Sequence, residues 1–141
     1  MSAQMLLDVR RKILVVDDDL SIRELLADYL EQAGFEVKTA PDGRAGLKAL
    51  DESHFDIILS DFRMPGMSGL EMAAVIRQTN PAIPIILITG DAYALESEAV
   101  ARAGITRVLL KPLKMNELLN CAQSMALVPS SISTTRGRVL V

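Results

Sequence analysis

The sequence predicts an α/β domain, one parallel sheet with helices packed on both faces. Three observations carry that prediction. Short apolar runs of strand length alternate with helical patterns along the chain. Most runs are continuously apolar, which suits strands covered on both sides. Three of them stop abruptly at polar groups, Asp17-Asp18-Asp19, Asp61 and Thr89-Gly90-Asp91, where turn chemistry begins. In an open α/β sheet, ligands bind beyond the carboxyl ends of the strands.

The elements follow in order. Residues 1–10 read as a mixed leader. Lys12-Ile13-Leu14-Val15-Val16 is a buried strand that exits into acid. Ser21 with Glu24 three residues on reads as a capping box. Ile22, Leu25, Leu26, Tyr29, Leu30 and Ala33 then recur at helical spacing, and Gly34 suits the position just past the helix. Phe35 to Thr39 alternates apolar and polar, as an edge strand does. Pro41-Asp42-Gly43 turns the chain into a helix that runs to about Asp51, with Leu47 and Leu50 inward. Phe55 to Asp61 is the third strand, with the lone histidine, His54, exposed in the loop before it. After Met64-Pro65-Gly66-Met67, a helix from Leu70 to about Gln78 buries Leu70, Ala73 and Ile76.

Asn80-Pro81 breaks that helix. Pro84 to Ile88 is the most apolar stretch and a central strand, with proline tolerable at its first position. A loose helix from about Ala92 to Ala103 turns Leu95 and Ala99 inward and ends at Gly104. Thr106 to Leu110 is the last strand. Met115, Leu118, Leu119, Ala122 and Met125 mark the last helix. Residues 127–141 change to Pro, Ser, Thr and Arg and read as a flexible tail or linker stub. The domain proper is thus residues 11–126. Right-handed crossovers and five strands in one domain select the doubly wound, flavodoxin-like (βα)5 sheet with strand order 2-1-3-4-5.

Composition narrows the function. The 141 residues allow one domain with an aliphatic core, since half are hydrophobic and Trp is absent. Fifteen basic against 18 acidic residues give a net charge of −3, which argues against nucleic acid as the main ligand. The single cysteine, Cys121, rules out an internal disulfide and reads as core on a helix. No apolar run reaches the roughly 18 residues of a membrane span. These features together predict a cytoplasmic protein.

In the predicted strand order, Asp17, Asp18, Asp61, Thr89 and Lys111 converge at one sheet edge. Carboxylates gathered in one pocket repel and call for a cation. Their hard oxygens suit Mg²⁺. A lysine supplies a compact positive charge and a threonine hydroxyl one more donor. No Gly-rich phosphate loop is present, so nucleotide binding is not supported. A carboxylate nucleophile, metal, lysine and hydroxyl together suit phosphoryl transfer to aspartate.

Four fragments in register carry a resemblance: Val15-Val16-Asp17-Asp18-Asp19, Ser60 to Gly69, Ile88-Thr89-Gly90 and Leu110-Lys111-Pro112. Over roughly residues 11 to 126 the chain resembles the receiver domain of two-component response regulators. The resemblance implies that Asp61 accepts phosphate from a sensor histidine kinase or a histidine phosphotransfer protein. It implies that Asp18, Asp61 and the backbone carbonyl of Arg63 ligate Mg²⁺, with Asp17 holding metal-bound water. Thr89 and Lys111 would contact the phosphoryl oxygens, and the Lys111–Pro112 bond would be cis. Such a domain is not an enzyme beyond its own phosphorylation and dephosphorylation. It would act on a downstream protein or output domain through its fourth helix, fifth strand and fifth helix, the surface on which it would also form a homodimer.

Two positions depart from the family pattern. Val108 stands where an aromatic switch residue is common, and Leu113 where Phe is. The conformational signal is therefore expected to pass through the backbone after Thr89. Arg63 and Asp91, each two residues past a site residue, are expected to pair across the pocket mouth. Two other readings are weaker. A phosphatase with an aspartate nucleophile needs a second acid two residues on, where Arg63 stands. An unphosphorylated scaffold would not keep all five site residues.

Overall fold

A computed structural model describes residues 10–91, 93 and 97–126. Among these residues five strands alternate with five helices: β1 (Lys12–Val16), α1 (Leu20–Gln32), β2 (Glu36–Ala40), α2 (Gly43–Glu52), β3 (Ile57–Asp61), α3 (Gly69–Thr79), β4 (Ile85–Thr89), α4 (Glu98–Arg102), β5 (Arg107–Leu110) and α5 (Met115–Ala126). The strands pair in parallel in the order β2-β1-β3-β4-β5, as expected. Residues 1–9 of the expected leader and the expected tail lie outside the described residues. Among those described, no helix is long and apolar enough to cross a membrane.

Successive strand side chains point to opposite faces, and here both faces are covered. Ile13, Val15, Ile57, Leu59, Ile86 and Ile88 meet Leu26 and Leu30 of α1 and Leu118, Cys121 and Ala122 of α5. Leu14, Val16, Ile58 and Ile85 meet Ala49, Met72, Ala73 and Ile76 of α2 and α3. Every residue of β3 and β4 is buried. β2 is the wet edge strand its alternation predicts.

Helix ends explain where the expectations fail. The capping box expected from Ser21 and Glu24 does not start α1. Ser21 lies inside the first turn, and Asp19 is the cap, accepting from the Ile22 N–H at 3.2 Å. A reciprocal box forms instead at α3. There the Glu71 N–H donates to Ser68 Oγ and the Ser68 N–H donates to Glu71 Oε1. Gly34 does end α1, with φ +103°. Its N–H reaches Glu31 O, and that of Phe35 reaches Leu30 O. In α1 only Leu26 and Leu30 are buried, whereas Ile22 and Leu25 face solvent.

The described α4 is shorter than expected, beginning at Glu98 with Ser97 as its cap. Residues 92 and 94–96, including Leu95, lie outside the described residues. Val100, not Ala99, is the buried residue of α4. In α2, Ala49 and two glycines are buried, and Leu47 and Leu50 are half-buried.

The chain leaves β3 at Asp61 and begins α3 at Gly69, which lies against the strand exit. The Gly69 N–H donates to Phe62 O at 2.8 Å. A Cβ at Gly69 would collide with the Asp61 carbonyl oxygen and sit 2.8 Å from Leu87 Cδ1. Gly90, beside the same edge, has nothing within 4 Å of its Cβ position. Gly69→Ala is therefore expected to destabilise the fold by about 1–3 kcal/mol in urea unfolding, while Gly90→Ala stays within about 0.5 kcal/mol.

Candidate functional site

Strands β1, β3, β4 and β5 are neighbours, so their carboxyl ends share one edge. Asp17 follows β1 directly. Its N–H donates to Ala40 O at 3.1 Å, and Arg23 Nη1 donates to its carbonyl at 2.8 Å. Its carboxylate Oδ1 accepts the Asp19 N–H at 2.9 Å. Asp17 is thus fixed and buried, while Asp18 beside it is exposed.

Asp61 is the last residue of β3 and is buried. Ser60 Oγ donates to its carbonyl at 2.9 Å. Thr89, the last residue of β4, is buried as well, and its Oγ1 accepts the Asp91 N–H at 3.0 Å. Lys111 leaves β5 with its N–H bonded to Thr89 O at 2.8 Å. Its Nζ lies 3.0 Å from Asp61 Oδ1. The Lys111–Pro112 bond is cis, as the resemblance implied.

One carboxylate oxygen each from Asp17, Asp18 and Asp61 lies within 4.8 Å of the others. Bonds of about 2.1 Å to Mg²⁺ place two ligand oxygens at most about 4.2 Å apart. The cluster needs little closure to hold such an ion, and water can bridge the remainder. The donor set is all oxygen, which fits a hard cation. The Arg63 guanidinium is a cation and pairs with the Asp91 carboxylate at 3.7 Å. Arg63 could therefore serve a metal only through its backbone carbonyl.

The expected site residues thus come together, and the bland residues stay out. His54 is exposed and pairs with Asp56 at 3.2 Å, in the loop before β3 at the opposite edge of the sheet. Cys121 lies in the core, where burial pushes its thiol up. Two features were missed. One is Arg23, whose grip on the Asp17 carbonyl has no signature in the sequence. The other is the solvent-facing apolar pair Ile22 and Leu25 on one side of α1, exposed by 40 and 52 %. Its signal was present, since the helix carries more apolar positions than a single inward stripe requires.

Comparison with known proteins points one way. Residues 13–123 match the response regulator receiver domain family. A sensor histidine kinase of Escherichia coli K12, RcsC, is 41 % identical over 104 residues, covering 74 % of this chain and 11 % of that kinase. The chain therefore spans only a small part of such a relative. Among solved structures, the chemotaxis response regulator CheY4 of Vibrio cholerae superposes with a TM-score of 0.78 at 34 % identity, over 83 % of this chain and 99 % of that one. The response regulator TrrA of Thermotoga maritima, solved in complex with Mg²⁺-BeF, gives 0.76 at 33 % identity, over 82 and 98 %.

Burial pushes the Asp17 carboxyl up from 3.8. The Asp19 N–H opposes this, Asp61 and Asp18 add repulsion, and Lys111 offsets part of it. A carboxyl raised in the folded state favours folding when protonated. Its penalty is absent below pH 3.8, builds as pH rises from there toward the raised folded value, and is complete above it. Asp17→Asn keeps an oxygen for the Asp19 N–H and is expected to raise the thermal midpoint at pH 7 without divalent ions. That gain should vanish in melts below pH 3.8.

Proposed function

The chain belongs to the response regulator receiver domain family, a phosphorylation switch of two-component signalling, and on that premise we propose that Asp61 is its phosphoacceptor. The observation that carries this reading is the Lys111–Asp61 contact at 3.0 Å, set among Asp17, Asp18 and Thr89 at the buried sheet edge. The receiver unit is residues 11–126, and it works in the cytoplasm with its phosphodonor.

An Asp61 oxygen attacks the phosphorus of a phosphohistidine. The N–P bond breaks, an O–P bond forms, and the imidazole, already protonated on its other ring nitrogen, leaves as the neutral ring with the N–P electron pair. Lys111, already beside Asp61, neutralises charge on the phosphoryl group. Thr89 Oγ1 already accepts the Asp91 N–H, so its own hydrogen is free to donate to a phosphoryl oxygen. Asp18, Asp61 and the Arg63 carbonyl would hold Mg²⁺ directly, with Asp17 acting through water. The ion would supply electrostatic stabilisation of the transferring phosphoryl group. Beyond this turnover of its own phosphate the domain catalyses nothing.

The donor is a sensor histidine kinase or a histidine phosphotransfer protein. It must bring its histidine to the mouth formed by Asp18 and Arg63. Ile22 and Leu25, three residues apart on one side of α1 and both exposed, offer the donor an apolar docking point near the start of that helix. The response is read by a downstream protein or output domain at α4, β5 and α5, where Leu110 is exposed, and the same surface serves a homodimer.

The Arg63–Asp91 pair spans the mouth at 3.7 Å. Both side chains are solvent-facing, so the pair adds little to stability. As a gate it would keep water from the acyl phosphate.

With Mg²⁺ and acetyl phosphate, wild type is expected to gain one phosphoryl group in intact-mass measurements and Asp61→Asn none. An unmodified wild type would leave the scaffold reading standing. Either Arg63→Ala or Asp91→Ala is expected to shorten the phosphate half-life. Equal half-lives in wild type and both variants would remove the gate.

A further inference from the structure

The two ends of α4 are held very differently. Its C-terminal end closes with two bonds typical of a glycine cap. The Gly104 N–H donates to Ala101 O at 3.1 Å and the Ile105 N–H to Val100 O at 3.3 Å, with Gly104 at φ +71°. Val100 and Ala103 are buried there, and Ile105 packs against the core.

A guanidinium from the neighbouring helix then locks that end. Arg77 of α3 donates from Nε and Nη2 to the Gly104 carbonyl, at 3.1 and 2.6 Å. Its Nη1 donates to Asn80 O at 3.0 Å, where α3 ends. Burial lowers the pKa of the Arg77 guanidinium, as it does for a charge drawn from water. A Cβ at Gly104 would lie 2.6 Å from Arg77 Nε, so the glycine makes room for the clamp. Immediately beyond, the Thr106 N–H donates to Ile85 O and the Ile85 N–H to Thr106 Oγ1, tying the exit of the turn to β4.

At its other end α4 begins at Glu98 with Ser97 as its cap, eight residues along the chain from Thr89. Thr89 Oγ1 receives the Asp91 N–H, and Asp91 Oδ1 receives the Tyr93 N–H, while Tyr93 itself stands in solvent. By chain order, a displacement that begins at Thr89 enters α4 from its N-terminal side. It meets the Arg77 clamp at the far end.

We propose that Arg77 is the pivot of the switch: its fork on the Gly104 carbonyl fixes one end of α4, so that a pull at Thr89 turns the helix about Gly104 and leaves β5 in place. This rests on the reading that Asp61 is phosphorylated, and it names the regulation of that site. Arg77 touches neither the acids nor Thr89 among the contacts described, so it is a positioning residue. The claim is specific to the fork. A lysine would keep the charge but not two parallel donors on one oxygen.

The test is amide hydrogen exchange of the full chain with and without acetyl phosphate and Mg²⁺, for wild type, Arg77→Gln and Arg77→Lys, with intact mass read on each sample. In wild type, phosphorylation is expected to change exchange around Asp91 and Ser97–Ala99 while Ala103–Thr106 holds. In Arg77→Gln the phosphorylation response is expected to spread into Ala103–Thr106, with exchange there about tenfold faster, as the loss of a charge-assisted bond implies. Arg77→Lys should behave like Arg77→Gln, and it decides the matter if Arg77→Gln does not fold. A purely structural role would lower protection equally with and without phosphate and leave the phosphorylation pattern unchanged in both variants, which would overturn the proposal. So would a wild-type response as large at Ala103–Thr106 as at Ser97–Ala99. Absence of the phosphoryl mass in wild type would overturn the phosphorylation reading first, and the pivot with it.

Discussion

The contact between Lys111 and Asp61 is the constraint on which the site depends. Lys111 leaves β5, and Asp61 ends β3 two strands away, so the lysine must pass over the exit of β4. Parallel neighbours lie about 4.8 Å apart, which makes the crossing about 10 Å. Only a long side chain starting from the turn itself covers that distance. The residue it passes must be small, and Thr89 is. The backbone bond from the Lys111 N–H to Thr89 O sets the starting point of the crossing. Shift the register of β5 by one residue and the ammonium no longer reaches the acids.

That geometry also explains why the acids can be buried together. Asp17 and Asp61 are nearly removed from solvent, and Asp18 remains exposed at the mouth. Two desolvated carboxylates without a cation repel each other. Lys111 offsets part of that cost at Asp61, and the Asp19 N–H does the same at Asp17. The remaining repulsion is of the kind that a divalent ion would relieve. The pocket is built slightly unhappy, on a sheet whose central strands β3 and β4 are buried at every residue and can carry it.

Most of this could be read from the residues, for a physical reason. Buried parallel strands declare themselves as short apolar runs, and their exits are marked by polar residues, here Asp17, Asp61 and Thr89. What failed was local competition between similar groups. Ser21 and Asp19 both can cap a helix, and the sequence does not say which sits one residue outside it. Ile22 and Leu25 fit the helical period as well as Leu26 and Leu30, and only the sheet's position shows which pair is covered. Arg77 and Arg23 act on backbone carbonyls far from them in sequence or around a turn. No pattern of residue types announces a bond to a carbonyl.

Val108 raises the question of how a domain without an aromatic on β5 could switch. The size of the effect needed answers it. Coupling between sites in proteins is typically about 1–3 kcal/mol. One charge-assisted hydrogen bond is worth about 1.5–3 kcal/mol. Thr89 and Lys111 both change partners if a phosphoryl group arrives on Asp61, the lysine giving up a carboxylate oxygen for a phosphoryl oxygen. A single exchange of that kind is enough to shift a balanced population. A rotating ring would report such a shift, but it is not the source of its energy. The requirement falls instead on the chain after Thr89, which must carry a small displacement without dissipating it. A helix held at its C-terminal end by its glycine cap and a neighbouring guanidinium suits that requirement, because a displacement entering at the other end is not lost in sliding the whole helix.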